Sequence, residues 1–175
     1  MDKLESGDSL INIWPSFADV AICAMIVFLI YALYLISMLP HQIRIGEITE
    51  NEVSKFIKGS AELPPFAIKD LDKMYNEIVY GKYANEWQDT TWIIIVAGHT
   101  DNDPISTYKY QSNWELSNAR AMSVVKYFIS KGIPETRIRP IGYGEFHPKV
   151  KNDKESNKAQ NRRIEIILFK SNGKI

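Results

Sequence analysis

Residues 92–132 read WIIIVAGHTDNDPISTYKYQSNWELSNARAMSVVKYFISKG and carry the strongest structural signal in the chain. The first six of them, Trp92 to Ala97, are continuously apolar, which is typical of a strand that is buried on both faces. Ser112 and Glu115 have the spacing of a capping box, so a helix is predicted to begin there and to end at Gly132. A buried strand followed by a helix with one apolar face indicates an α/β domain.

Further strands and helices are predicted on both sides of this stretch. Val53–Ile57 is a short strand candidate, and Pro65 opens a helix whose apolar residues recur at spacings of three and four. Ile138–Tyr143 and Arg163–Phe169 are the next strand candidates. The predicted fold is an α/β sandwich of βαβαββ type, with its helices on one side of a mixed sheet.

An apolar run, VAICAMIVFLIYALYLISML, precedes this domain at residues 20–39. It is about as long as a helix that crosses a bilayer once. It is too long for the core of a signal peptide, so we expect a retained anchor. The predicted segments are a tail at 1–13, a transmembrane helix at 14–39, a linker at 40–52, a domain at 53–170 and a C-terminal tail at 171–175.

Asp19, the residue before this run, has two interpretations. A carboxylate inside a bilayer costs about 2.5 to 3.5 kcal/mol at the helix centre, so such a residue usually handles an ion or has a partner. Alternatively, Asp19 lies about one turn after Pro15 and simply complements the positive end of the helix dipole. The run by itself leaves both interpretations open.

Charge and cysteine content argue against several classes of function. The net charge is zero, and 20 Lys and Arg against 17 Asp and Glu after Leu39 are too small a surplus to predict a nucleic-acid partner. The single cysteine, Cys23, allows no internal disulfide. The three histidines are too scattered to predict a metal site, and no nucleophile with a paired base is evident, so neither a cofactor nor an enzyme activity is expected.

Charged residues fall where the predicted elements end or begin. Asp101 follows the buried strand, Arg120 lies two turns into the helix and Arg162 precedes the last strand. An aspartate facing an arginine across a cleft suits the zwitterionic end of an amino acid, because each charge of the ligand finds an opposite charge. A structural salt bridge without a ligand is the alternative that these residues leave open.

The motifs GHTD, SNWELSNARA and NRRIEI, in this order, resemble the peptidoglycan-binding domain that OmpA, the lipoprotein Pal and the flagellar stator protein MotB share. The resemblance covers roughly residues 53–170, and the loop 102–111 is longer than in many OmpA relatives. It implies that Asp101 and Arg120 hold the diamino acid of the cell-wall stem peptide. The surrounding shell that it implies consists of Thr100, Asn113, Leu116, Ser117 and Arg162.

The apolar run and the residues before it also resemble the membrane span of MotB. Residues 14–19, WPSFAD, place a tryptophan before an aspartate as that span does. The resemblance implies a rotary motor of the bacterial inner membrane in which Asp19 carries H⁺ or Na⁺, with a cytoplasmic N-terminus and a periplasmic domain. It also implies a homodimer inside a ring of a multi-pass MotA-like partner, five partner copies to two of this chain. The charges after the run would by themselves favour a cytoplasmic domain.

The short acidic tail and the brief linker depart from flagellar MotB, and the same two-part plan of span and domain is found in the B subunit of Zorya anti-phage systems. The predicted function is therefore a MotB-like subunit of a defence motor with a ZorA-like partner. A flagellar stator subunit is the first alternative. A passive anchor that ties the inner membrane to peptidoglycan without ion transport is the second.

Overall fold

The N-terminal apolar segment forms one helix in the computed structural model, which describes residues 14–37, 39, 42–49 and 59–171. This helix, α1, runs from Trp14 to Ser37, and its part Phe17–Ser37 is long and apolar enough to cross a membrane. Its 21 residues rise about 31 Å, close to the thickness of a bilayer core. The chain divides into two units after Leu39, and α1 belongs to the first of them.

The second unit is built on a four-stranded mixed sheet with the strand order β1-β4-β2-β3. Strand β4 is antiparallel to both of its neighbours, whereas β2 and β3 are parallel to each other. The mixed α/β fold that the sequence predicts is therefore confirmed. The elements are β1 Gln42–Thr49, α2 Pro65–Val79, α3 Ala84–Gln88, β2 Trp92–Gly98, α4 Asn113–Ser130, a 3₁₀ turn Glu135–Arg137, β3 Ile138–Gly142, α5 Glu155–Asn161 and β4 Arg163–Lys170.

The core of this unit lies between one face of the sheet and the helices α2 and α4. Alternate residues of a strand share a face, and the core face of β4 carries Ile164, Ile166 and Leu168, which are fully buried. Leu71 of α2 and Phe128 of α4 are equally buried against them. Every residue of β2 except Ile95 is buried, as the continuous apolar run predicts.

The predicted helix boundaries agree with the structure, with one difference in the capping bonds. The Ser112 Oγ accepts a hydrogen bond from the Glu115 N–H at 3.3 Å, as a capping box requires. The Glu115 carboxylate accepts at 2.7 Å from the N–H of Gln111 rather than from that of Ser112. Gly132 has a φ of +103° just after α4, a conformation that favours glycine.

The interpretation of residues 40–52 as a linker is wrong, because residues 42–49 form the edge strand β1. Ile43 pairs with Leu168 and Ile48 with Ile164, so both contact the core. A bulge shifts the register between Arg44 and Gly46. The two core residues are therefore five positions apart, which breaks the alternation of a regular strand and hides it in the sequence.

Three further segments either differ from the predicted elements or cannot be compared with them. The strand candidate Val53–Ile57 lies outside the described residues. The short helix α3 and the helix α5 are additional elements, and α5 carries no apolar repeat that would have predicted it. Asn161 fixes the end of α5, since its side chain accepts from the N–H of Lys149 at 2.8 Å and donates to the carbonyl of Val150 at 2.7 Å.

Candidate functional site

Beyond the end of β2, the backbone continues between two neighbouring segments. It thereby places Asp101 at the end of the sheet. The N–H of His99 donates to the carbonyl of Arg163 at 2.9 Å. The N–H of Thr100 donates to the carbonyl of Gly144, also at 2.9 Å. These two bonds extend the pairing beyond the strand and fix the backbone on which Asp101 stands.

Helix α4 packs directly against the end of β2, and Ser117 lies at the contact. A Cβ atom on Gly98 would come within 2.1 Å of the carbonyl oxygen of Ser117, so only glycine allows this approach. The hydroxyl of Ser117 accepts from the N–H of Gly144 at 3.0 Å and donates to the carbonyl of Trp114 at 3.0 Å. Ser117 is fully buried and holds these segments together.

Asn113, the first residue of α4, joins the helix to two loops. Its side-chain amide donates to the carbonyl of Asp103 at 3.0 Å and to a carboxylate oxygen of Glu145 at 2.6 Å. A buried amide that bonds groups from two loops restricts both of them. Asn113 therefore sets the position of the loop that follows Asp101.

Arg120 shares one face of α4 with Asn113 and Leu116, because these residues are spaced by three and four. It is 3% exposed, and its Nε donates to the carbonyl of Ser60 at 3.0 Å. Burial lowers the pKa of its guanidinium to about 10, while the negative charge of Asp101 opposes this shift. Arg120 is therefore still a cation at neutral pH.

Asp101 is buried and is paired with Arg162, the residue just after α5. The Asp101 Oδ2 lies 2.5 Å from a guanidinium nitrogen of Arg162, whose second nitrogen lies 2.7 Å from Glu155. Burial raises the pKa of the Asp101 carboxyl above its usual value, while a hydrogen bond from the Asp103 N–H opposes the rise. Arg162 stabilises the ionised form of Asp101 by direct contact.

A second ion pair joins the loop after Asp101 to α5. The Lys158 Nζ lies 2.5 Å from a carboxylate oxygen of Asp103. This bond raises the pKa of Lys158 above its usual value. Asp103 with Lys158 and Glu155 with Arg162 thus form two ion pairs, while Asp101 and Arg120 are more deeply buried.

These side chains surround a cleft of about 500 Å³. Six of the predicted residues line it, namely Thr100, Asp101, Asn113, Leu116, Arg120 and Arg162. Ser117 lies behind this lining, and Asp19 belongs to α1 in the other unit. His99 does not line the cleft either, since its ring stacks on that of Tyr143.

Sequence reasoning missed several residues of the cleft wall. Asp103 and Glu155 add two carboxylates to the lining, and the loop residues 104–107 form another side. The motifs of the family resemblance do not include these positions. The one signal in the sequence was the length of the loop 102–111, which now proves to form part of the wall.

A second depression, of about 580 Å³, lies along the outer surface of α2. Its lining runs from Lys69 to Gly81 and consists of exposed and half-buried side chains. None of the residues that line this depression is a buried charged residue comparable to Arg120. The cleft is therefore the stronger candidate for a functional site.

Comparison with known proteins identifies the family from the sequence and finds similar folds among solved structures. The OmpA family matches residues 55–162, more than half of the chain. The uncharacterized protein YtxE of Bacillus subtilis is 48% identical over 79 residues, which cover 45% of this chain and 33% of that protein. Motility protein B of Bacillus subtilis is 37% identical over 77 residues, which cover 43% of this chain and 30% of that protein.

The chain thus spans about a third of the length of these relatives. Among solved structures, the cell wall anchor of the T6SS from Pseudomonas aeruginosa superimposes with a TM-score of 0.58 and 28% identity, covering 71% of this chain and 80% of that one. Sequence, fold and cleft lead to one conclusion: the chain belongs to the OmpA family, as a MotB-like member of it.

Proposed function

We propose that the cleft binds the stem peptide of peptidoglycan and so anchors the chain to the cell wall. The observation that carries this proposal is a buried guanidinium, that of Arg120, in the same cleft as a buried carboxylate, that of Asp101. The diamino acid of a stem peptide ends in an ammonium and a carboxylate, so each of its charges has a partner of opposite sign. The described role of the T6SS structure as a cell wall anchor supports the proposal.

The two charges of the ligand would bind at different ends of the cleft. Its ammonium would lie against Asp101, with Asp103 and Glu155 adding negative charge nearby. Its carboxylate would accept hydrogen bonds from Arg120, which burial keeps in a low-dielectric environment where such bonds are strong. Leu116 supplies an apolar contact for the methylene groups between the two ends.

Binding of purified cell-wall sacculi to the full chain in detergent tests this proposal. We expect Arg120→Gln and Asp101→Asn each to weaken binding by roughly 10- to 100-fold, because each removes a charge-assisted hydrogen bond to the ligand. Arg139→Gln is the matched control, since the Arg139 guanidinium bonds only to backbone carbonyls of Glu135 and Ile138 among the described residues.

The alternative is that Asp101 and Arg162 form a structural ion pair without a ligand. In that case Asp101→Asn lowers the thermal midpoint of unfolding and leaves sacculus binding unchanged. Measuring the unfolding midpoint of every variant separates this outcome from a true loss of binding. Unchanged binding by folded Arg120→Gln would reject the proposed site.

We further propose that α1 crosses the bacterial inner membrane, with the N-terminus in the cytoplasm and the domain in the periplasm, and that Asp19 carries an ion there. Asp19 is the only acidic or basic residue between Phe17 and Ser37, which supports this role. Each H⁺ or Na⁺ driven across the membrane supplies about 2.3 kcal/mol per 100 mV. With the domain bound to the wall, that work would move a partner.

A single helix cannot form a pathway that opens to both sides, so this proposal requires a multi-pass partner. Following the resemblance to MotB, we propose a dimer of this chain with about five copies of a MotA-like protein. Native mass spectrometry of the chain, purified in mild detergent from cells that also express its neighbouring genes, tests the assembly. Recovery of the chain alone or with wall fragments only would contradict the motor and favour a passive anchor.

The most specific part of the proposal is the biological system that such a motor serves. The acidic composition of residues 1–13 is the observation that favours a Zorya-type phage-defence motor, and similarity to Motility protein B fits a flagellar role equally well. Deleting the gene separates the two. A defence motor predicts more phage plaques with unchanged swimming, and a flagellar stator subunit predicts lost swimming.

A further inference from the structure

Two large aromatic side chains are exposed on the domain surface and contact each other. The rings of Trp114 and Phe146 stack with their centroids 5.3 Å apart and their planes at 26°. Trp114 is 51% exposed and Phe146 is 59% exposed. Two stacked rings that each keep half of their surface in water form an apolar platform, which we call the aromatic pair.

The aromatic pair adjoins the wall of the cleft. Trp114 follows Asn113 in the chain, and Phe146 follows Glu145. The side chains of Asn113 and Glu145 are joined by a hydrogen bond of 2.6 Å, and Asn113 lines the cleft. The aromatic pair therefore lies one residue along the chain from Asn113, which lines the cleft, and from Glu145, which is bonded to Asn113.

The segment that carries Phe146 is held rigidly against the end of the sheet. The N–H of Tyr143 donates to the carbonyl of Gly98 at 2.9 Å, and the N–H of Gly144 donates to the Ser117 hydroxyl at 3.0 Å. Gly144 has a φ of +56°, which fixes a sharp turn. Trp114 lies in the first turn of α4. Because both rings are attached to ordered backbone, binding a ligand would cost little conformational entropy.

The size and surroundings of the aromatic pair identify what it can bind. Half of two aromatic side chains amounts to roughly 150 to 250 Å², far less than the roughly 800 Å² that each partner of a stable protein complex buries. The neighbours along the chain, Glu115 and Glu145, are hydrogen-bond acceptors. A small ligand with one apolar face and hydroxyl groups at its edge fits this combination.

We propose that Trp114 and Phe146 bind a sugar ring of the peptidoglycan glycan strand while the cleft holds the stem peptide of the same strand. The C–H face of a sugar carries slight positive charge and packs on the negative face of an aromatic ring. The stem peptide is bonded covalently to the sugar, and three extended residues span about 10 Å. This inference rests on the proposed peptidoglycan function and extends its site to the carbohydrate.

The test compares two soluble fragments, a disaccharide that carries the stem tripeptide and the same tripeptide without sugar. Titration calorimetry with the full chain in detergent measures both affinities. We expect the wild type to bind the disaccharide fragment about fivefold more tightly, a typical gain for one aromatic contact. Trp114→Ala should abolish that gain and leave the affinity for the tripeptide unchanged, whereas Trp114→Tyr should keep most of the gain.

A matched control is available just after α2, where Tyr80 is 76% exposed and makes an edge contact with Tyr75. Tyr80→Ala should keep the full gain from the sugar. Equal affinity of the wild type for the two fragments would overturn the inference and leave the stem-peptide site standing. Failure of the wild type to bind either fragment would overturn the proposed function and the inference with it.

Discussion

His99 is 4% exposed, and neither of its ring nitrogens has a hydrogen-bond partner among the described residues. Its ring stacks on Tyr143 with the centroids 5.0 Å apart. Burial is the main cause that lowers the pKa of His99 to about 4, and the positive charge of Arg163 adds to it. Glu165, with a carboxylate oxygen 3.9 Å from the His99 Nε2, opposes the shift. His99 is therefore neutral in the folded domain at physiological pH.

A neutral buried histidine makes the domain sensitive to acid. Between its ordinary pKa of 6.5 and its folded pKa of about 4, only the unfolded chain binds the proton. The free energy of unfolding therefore falls as the pH decreases through this range, by up to about 3 kcal/mol. His99→Phe keeps the stacking on Tyr143 and removes the titrating group. We therefore expect its free energy of unfolding to fall less than that of the wild type when the pH is lowered. Urea denaturation of the full chain in detergent at pH 7 and pH 4 measures the difference.

His147 provides the control for this pH dependence, because it is exposed and contacts the same Tyr143 ring. His147→Gln should retain most of the acid sensitivity of the wild type, because burial and the charge of Arg163 lower the pKa of His99 more than the charge of His147 does. Equal losses of stability in the wild type and in His99→Phe would show that other groups account for the acid response.

The sequence could predict residues that line the cleft where a motif fixes both identity and order. Asp101, Arg120 and Arg162 were found in this way, and all three line one cleft. Glu155 was missed because a single glutamate in a polar helix has no distinguishing pattern. Ser117 was placed in the shell because motif position cannot tell a side chain that lines a cleft from one that packs behind it.

At the scale of elements, the cleft depends on how closely α4 approaches the sheet. A Cβ at Gly98 would clash with the Ser117 carbonyl, and a Cβ at Gly142 would lie 2.7 Å from the backbone nitrogen of Asn118. Two neighbouring strands thus end in glycines under the same turn of α4. Since backbone atoms oppose both positions, side-chain rearrangement cannot relieve a substitution.

Gly98→Ala should therefore destabilise the domain by about 3 kcal/mol or more and weaken sacculus binding. The physical reason is that α4 must move away from β2, and Asn113, Leu116 and Arg120 move with it. Chemical denaturation and sacculus pull-down measure the two effects. Ser123→Ala, which removes only a bond from the Ser123 hydroxyl to its own helix, is the control and should cost about 1 kcal/mol or less. Wild-type stability of Gly98→Ala would contradict the close approach.

Elements with a regular apolar pattern or a clear cap were predicted from the sequence, and irregular ones were not. α2, α4, β2 and β4 each show such a signal and lie close to their predicted positions. β1 was missed because its bulge places Gly46, not an apolar residue, opposite Ile166, and the Met74 side chain occupies the space above that glycine. Only tertiary packing reveals why a glycine suits that strand.

At the scale of the whole molecule, the decisive question is whether α1 does more than anchor. Asp19→Asn keeps the size of the side chain and removes its charge and its proton. For a motor we expect ion flux in proteoliposomes with the partner to fall at least about tenfold, because the carrying group is lost. Sacculus binding should stay unchanged, since the cleft belongs to the other unit.

Asp70→Asn is the matched control, because Asp70 is an exposed aspartate on α2. It should leave both ion flux and sacculus binding at wild-type levels. Full ion flux with Asp19→Asn would mean that Asp19 only complements the helix dipole. That outcome would favour the passive anchor.

Strand β1 begins at Gln42, five residues after α1 ends at Ser37. In the proposed anchor, tension between membrane and wall enters the domain at Gln42 and leaves it at the cleft. Arg162 of the cleft directly precedes Arg163, which pairs with Thr49 at the opposite end of β1. The pull therefore runs parallel to the strands, and the hydrogen bonds between β1 and β4 share the load in shear instead of peeling apart one at a time. Strand β1 would thus act as a lap joint, in which all the hydrogen bonds of the β1–β4 ladder carry the load together.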